Sequence, residues 1–330
     1  MTRPLGSTGL LVSPIGLGLA ALGRPGYINL GHADDLDHNY DVATMRAHTH
    51  QVLDTAWESG IRYFDAARSY GRAEEFLGSW LTRRRPLHSD VTVGSKWGYT
   101  YTAGWQTQAE VHEIKEHSLA VLDRQWGESQ SFLDGYLRLY QVHSATLDSG
   151  IFSNRPVLER LASLKRQGLA IGLTLSGPRQ AETLQVALDT YVDGLRLFDV
   201  VQITWNLLER SASDVMSQAH AADMGVIVKE ALANGRLTDR NQAPDFAAQH
   251  ALLARQAQRL NTTIDALALA AVLTQPWVDV VLSGASTPDQ LTSNLKALRV
   301  AWDVEADSQL GSIAESPESY WETRTKLAWN

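Results

Sequence analysis

Four titratable side chains stand at comparable places in short apolar segments: Asp65 in Tyr63-Phe64-Asp65, Tyr70 just beyond it, Lys96 in Gly94-Ser95-Lys96 and His143 in Gln141-Val142-His143. If those segments are neighbouring parallel strands, ~4.8 Å apart, the four groups can converge on one small volume. A tyrosine titrates near 10 in water, and a nearby ammonium moves its phenol toward a range where it can give or take a proton. Lys96 supplies that charge, Asp65 holds Lys96 protonated and in place, and His143 can donate a hydrogen bond to a substrate oxygen. The product is a general acid beside an oxyanion-binding site. None of the four carries electrons, so a redox reaction needs a hydride carrier from outside the chain. Taken singly, Asp65 reads as a helix cap and Tyr70 as a half-buried aromatic. Burying all four at matching strand ends without a function would cost several kcal/mol of desolvation, which favours the chemical reading.

The elements that must position them follow from periodicity. A turn at Gly6-Ser7-Thr8-Gly9 within Leu5 to Val12 predicts a small hairpin, followed by a buried strand over 15–20. Further strands are expected over 63–67, 91–97, 136–143, 169–177, 200–205, 226–231 and 278–284. Helices are expected over 48–59, 73–82, 108–124, 155–166, 178–188, 212–222, 249–274 with a break near Asn261, and 288–298. That makes about eight βα units, the requirement of a (β/α)8 TIM barrel, although alternation alone also permits an open doubly wound sheet. In a barrel the reacting groups sit at the carboxyl ends of the strands, which is where Asp65, Lys96 and His143 fall. Residues 1–330 read as a single barrel domain, with an N-terminal hairpin over 1–14 and a tail over 301–330 folding across the barrel. Residues 22–45 form a long polar excursion, and loops of that length are often functional; Tyr27 within it is a candidate substrate contact. Trp97, directly after Lys96, is expected to line the mouth.

Composition narrows the classes. The formal net charge of -8 argues against a nucleic-acid backbone binder. The chain has no cysteine, which removes disulfides and thiolate chemistry and fits a cytoplasmic setting. No apolar run approaches the ~20 residues of a membrane span. Gly16-Leu17-Gly18-Leu19-Ala20-Ala21 has the spacing of a dinucleotide-binding glycine loop, but Gly23, Pro25 and Gly26 deny the helix that fingerprint requires. His112 and His117, five apart on the expected helix, diverge by about 140° and cannot share a metal, so no metal site is assigned. A Schiff-base lyase through Lys96 is a rival reading, weakened because Asp65 keeps the amine charged. A non-enzymatic cofactor-binding sensor or subunit is a third.

The quoted motifs resemble those of the aldo-keto reductases, (β/α)8 barrels that reduce carbonyls with a nicotinamide cofactor. The Phe-Asp-x-Ala-x-x-Tyr-Gly pattern stands as Phe64 to Gly71, the lysine strand as Gly94 to Lys96, and the histidine strand as Gln141 to His143. The resemblance implies that Tyr70 is the proton donor, that Lys96 and Asp65 tune it, and that His143 orients the carbonyl. It implies carboxamide contacts from Gln202, Ser176 and Gly177, with glycine where asparagine is usual, and stacking on the nicotinamide by Trp205, where tyrosine is usual. Glu230, Leu232 and Gly235 fall in the segment that wraps the pyrophosphate, with Glu230 and Ala231 in place of Ser-Pro. Gly284, Ser286, Gln290 and Asn294 fall in the adenosine-binding loop and helix. An arginine is frequent where Ser286 stands, pairing there with the 2′-phosphate. The resemblance puts NADP first and leaves NAD or dual use open, with Glu230 favouring NAD if it approaches the ribose. The substrate implied is a small-molecule carbonyl or sugar, of unread identity and direction. Oligomeric state is not legible.

Overall fold

A computed structural model describes residues 2–330. Eight parallel strands form a closed barrel: β1 (Ile15–Gly18), β2 (Tyr63–Asp65), β3 (Thr92–Trp97), β4 (Leu137–Ala145), β5 (Ala170–Leu175), β6 (Val200–Thr204), β7 (Gly225–Lys229) and β8 (Val280–Ser283). Closure is made by β8 on β1, with Val281 opposite Ile15. The open-sheet alternative is thereby excluded. Strands of this kind are buried on both faces, which is why they read as Val-, Ile- and Leu-rich runs.

Two-residue alternation divides each strand between two cores. Phe64, Val93, Tyr140, Ile171, Val201, Val226 and Val281 face outward into the layer shared with the helices. Tyr63, Leu139, Ala170, Val200, Ile227 and Val280 fill the barrel, joined by Leu5 and Val12 from the N-terminal hairpin, whose strands Arg3–Pro4 and Leu11–Val12 pair antiparallel. The hairpin therefore plugs the amino-terminal end, leaving the carboxyl end for polar groups. Room for the Tyr63 phenol comes from Gly94, where a Cβ would stand 2.6 Å from the Tyr63 hydroxyl.

Most helices match the expected pattern with shifted ends. The break near Asn261 is present, between Ala247–Arg259 and Ile264–Leu273. The helix expected over 108–124 is not. Glu113–Lys115 pairs antiparallel with Tyr99–Tyr101, and the helix runs over Leu119–Leu133, started by Ser118 accepting from Val121 N. The histidine-spacing argument thus loses its helix. Residues 22–45 are not wholly irregular, since His32–Asp35 is helical and the helix Val42–Glu58 begins at the Asp41 cap. Residues 301–330 hold two helices, Val304–Gly311 and Pro317–Thr325.

Candidate active site

The carboxyl-terminal rim is built around the buried Asp65 carboxylate. Its Oδ1 accepts from the Tyr63 hydroxyl at 3.0 Å, Gln141 Nε2 at 3.1 Å and Gln202 Nε2 at 3.0 Å. Its Oδ2 accepts from Lys96 Nζ, which gives a second bond to the Ala66 carbonyl at 3.0 Å. All of these side chains come from inward positions of β2, β3, β4 and β6. A buried ion pair repays its desolvation only when the leftover lone pairs are filled, and here a phenol and two amides fill them. Burial lowers the Lys96 amine below its ordinary range, with Asp65 opposing.

Tyr70 and His143 stand above this pair. The Tyr70 ring centroid is 4.7 Å from Lys96 Nζ and 5.5 Å, edge to face, from the His143 ring. Burial pushes the Tyr70 phenol well above its ordinary range, and the Asp65 carboxylate pushes the same way. Burial and the Asp65 carboxylate thus dominate the resting phenol, against the lowering expected from Lys96. Burial, then Lys96, drives the His143 imidazole well below its ordinary range, so the ring is neutral. Ser69 Oγ lies 3.4 Å from His143 Nδ1; with that hydroxyl donating, the ring proton sits on Nε2.

The Tyr70 loop is held on two sides. Arg68 N donates to the Lys96 carbonyl at 3.0 Å, and Arg72 N to the Gly23 carbonyl at 2.7 Å. The buried Glu74 carboxylate gathers Arg68 Nη1 at 2.6 Å, Ser95 Oγ at 2.5 Å and Ser129 Oγ at 2.6 Å. This clamps the helix after the Tyr70 loop, Ala73–Arg84, to β3 beside Lys96.

A cavity of about 610 Å³ opens above the four groups. Tyr27, Ser176, Gln202, Glu230, Leu232, Gly235, Gly284, Gln290 and Asn294 line it, as do Asp65, Tyr70 and His143. Five expected residues do not: Lys96 lies beneath the lining, buried against Asp65, and four others are turned away or set aside. Trp97 and Trp205 occupy outward strand positions, since Lys96 and Thr204 before them point inward. Trp97 is fully buried, edge-on to His117, and not at the mouth. Trp205 donates Nε1 to Ser213 Oγ at 2.9 Å and packs on Trp277, so it offers no face to a nicotinamide ring. Ser286 is fully buried, its hydroxyl donating to Asp35 at 2.7 Å. Gly177 lies off the cavity that Ser176 lines.

The structure also brings in residues the sequence did not single out. Lys229, the next inward position after Ile227, donates to Thr204 Oγ1 at 2.7 Å, and burial lowers it to about 8. The alternation of β7 carried that signal. Glu230 does not face the cavity as a free carboxylate: Arg324 of the tail grips it through Nε at 2.9 Å and Nη2 at 2.5 Å. Arg24 donates to Glu113 at 3.1 Å and lies over the Tyr70 and Trp329 rings at 5.3 and 4.8 Å. Tyr27 and Asn330 exchange backbone hydrogen bonds at 3.1 and 3.2 Å, so the tail does cross the mouth. The 22–45 segment also bridges to the chain after β7, with Leu30 N donating to the Asn234 carbonyl at 3.2 Å and Arg240 Nη1 to the carbonyls of Leu30 and Gly31. Asn234 Oδ1, buried in the cavity wall, has no partner. Among the described residues no group of three or more His, Asp or Glu could hold a metal ion, and no helix is long and apolar enough to cross a membrane.

Comparison with known proteins agrees with this architecture. A family model described as the aldo/keto reductase family matches residues 14–315. The chain is similar to the uncharacterized oxidoreductase YqkF of Bacillus subtilis (strain 168), 25% identical with 89% of this chain and 90% of that protein covered. It is similar to the L-galactose dehydrogenase of Arabidopsis thaliana, 25% identical over 95% of this chain and 94% of that one. Among solved structures, a holo-form aldo-keto reductase of Bacillus halodurans shares the fold, with a TM-score of 0.73, 22% identity and 96% of each chain covered. With a match spanning nearly its whole length and a closed eight-stranded barrel, the chain belongs to the aldo/keto reductase family of nicotinamide-dependent oxidoreductases.

Proposed function

We propose that the protein reduces an aldehyde or ketone to an alcohol, or runs the step backward on a sugar or alcohol, with Tyr70 as general acid and base. The observation that carries this reading is a phenol held protonated beside a Lys96–Asp65 ion pair and a neutral imidazole, all at one end of a large cavity. A nicotinamide dinucleotide bound along that cavity supplies or accepts the hydride. The cavity wall suits such a ligand. It offers Asn234 Oδ1 without a partner, together with Gln290 and Ser176.

In the reductive direction, His143 Nε2 and the Tyr70 hydroxyl orient the carbonyl oxygen. As negative charge develops on that oxygen, Tyr70 transfers its proton to it. The phenolate left behind is stabilised by the Lys96 ammonium, which Asp65 keeps charged and fixed. Arg24, Tyr27, Glu113 and Trp329 wall the same end with aromatic faces and hydrogen-bonding groups, which favours a small polar carbonyl such as a sugar. Similarity to an L-galactose dehydrogenase supports the same class.

The test is nucleotide titration by tryptophan fluorescence, followed by a carbonyl and sugar panel with wild type and Tyr70→Phe. The variant is expected to keep nucleotide affinity and lose about 10²- to 10⁴-fold in turnover. Equal turnover in the two proteins rules the reading out. A borohydride-stable adduct at Lys96 with a carbonyl substrate points instead to a lyase.

A further inference from the structure

This inference rests on the proposed function and concerns which dinucleotide the chain selects. A dinucleotide whose reacting ring meets Tyr70 must lay its second nucleoside along the rest of the same cavity. The far wall there carries Asp239, Asp265, Asp289, Gln290 and Asn294, with Arg240 as its one lining cation. The Asn294 amide is satisfied when its nitrogen donates to Asp265 Oδ2 at 2.7 Å and its oxygen accepts from Ser283 Oγ at 2.8 Å. Three carboxylates therefore surround this end.

The lining guanidinium is already committed. Arg240 grips Asp35 through both terminal nitrogens, Nη1 reaching Oδ2 at 2.9 Å. Asp35 belongs to the short helix His32–Asp35, just behind the wall, and its side chain is 3% exposed. The same carboxylate accepts from Ser286 Oγ at 2.7 Å and from Gln290 Nε2 at 2.8 Å. Burial pushes its carboxyl up, but the bonds from Arg240, Gln290 and Ser286 outweigh burial and keep it ionised. A cation, a hydroxyl and an amide, the donor set that would hold a phosphate, thus converge on an anion the protein supplies itself.

NAD and NADP differ at the adenosine ribose, where NADP bears a phosphate of about -1.5 to -2 charge at pH 7 and NAD a hydroxyl. A hydroxyl can donate to wall carboxylates, whereas a phosphate is repelled by them and finds its donors taken. We infer that Asp35 fills the anion position at this end of the cavity and makes the chain select NAD(H) over NADP(H).

The experiment is equilibrium titration of the full chain with NADH and with NADPH at one ionic strength, read by quenching of tryptophan fluorescence. The wild type is expected to bind NADH about tenfold or more tightly than NADPH. Asp35→Asn removes the anion that Arg240 grips and is expected to lower the NADPH Kd about fivefold while moving the NADH Kd less than about twofold. Asp289→Asn, at an exposed wall position, is the second variant if Asp35→Asn does not fold, and should likewise favour NADPH. Equal or tighter NADPH binding by the wild type overturns the inference and leaves the proposed function standing. Binding of neither nucleotide overturns both.

Discussion

The backbone oxygen of Tyr70 lies against Gly23, so close that a Cβ at position 23 would come within 2.2 Å of it. The first long loop and the Tyr70 loop therefore pack backbone on backbone, with Arg72 N donating to the Gly23 carbonyl. Gly23→Ala must push Tyr70 away from Lys96 and His143. Because misplacement on the order of 1 Å can cost about 10²-fold in rate, kcat should fall by roughly that factor. Nucleotide affinity, measured by fluorescence titration, should change little, since the far wall is untouched.

Asp65→Asn leaves the Lys96 ammonium buried without its counter-charge. Removing one partner of such a pair costs about 3–5 kcal/mol, which urea unfolding should register. The double variant Asp65→Asn with Lys96→Met removes both charges and should regain part of that stability. It should not regain turnover. Recovery of turnover would mean that the pair serves the fold alone.

Glu230 gives the fold an acid-sensitive contact. Burial raises its carboxyl, but Arg324 and Lys229 outweigh burial and hold it at about 2 against an ordinary 4.5. Between those values the unfolded chain binds more protons than the folded one, so stability rises with pH. The contribution is complete above 4.5 and is lost as pH falls toward 2. Urea unfolding across that interval should be flatter for Glu230→Gln than for wild type.

Arg324→Ala removes the tail's grip on Glu230 and leaves its buried carboxylate with Lys229 and the Thr204 hydroxyl. Limited proteolysis within 317–330 should quicken. KM for the carbonyl should rise more than kcat falls, because the tail residues Leu327 and Trp329 line the cavity and neither carries a proton-transfer group. An unchanged KM would show that the tail covers the mouth without shaping it.

The convergence of Asp65, Lys96 and His143 was legible because strand order and a two-residue period put them at one rim. The same period, applied one residue further, would have turned Trp97 and Trp205 outward and Lys229 inward. What could not be read is whatever depends on loops meeting across the mouth. Arg24 meets Glu113 from 89 positions away, and Arg324 meets Glu230 from 94. No local periodicity encodes such pairs. Residues 108–118 misled for a related reason: their apolar positions serve a surface hairpin rather than a helix face, and Ile114 remains exposed.

The bridge from Leu30, Gly31 and Asp35 to Asn234 and Arg240 ties the first long loop to the chain after β7, with Leu30, Asn234 and Arg240 lining the cavity. Under the proposed function, a dinucleotide lying beneath it would enter and leave as those contacts part. Because the Asp35 side chain is only 3% exposed, added salt screens the Asp35–Arg240 pair little, and the bridge should persist at ionic strengths that loosen surface ion pairs.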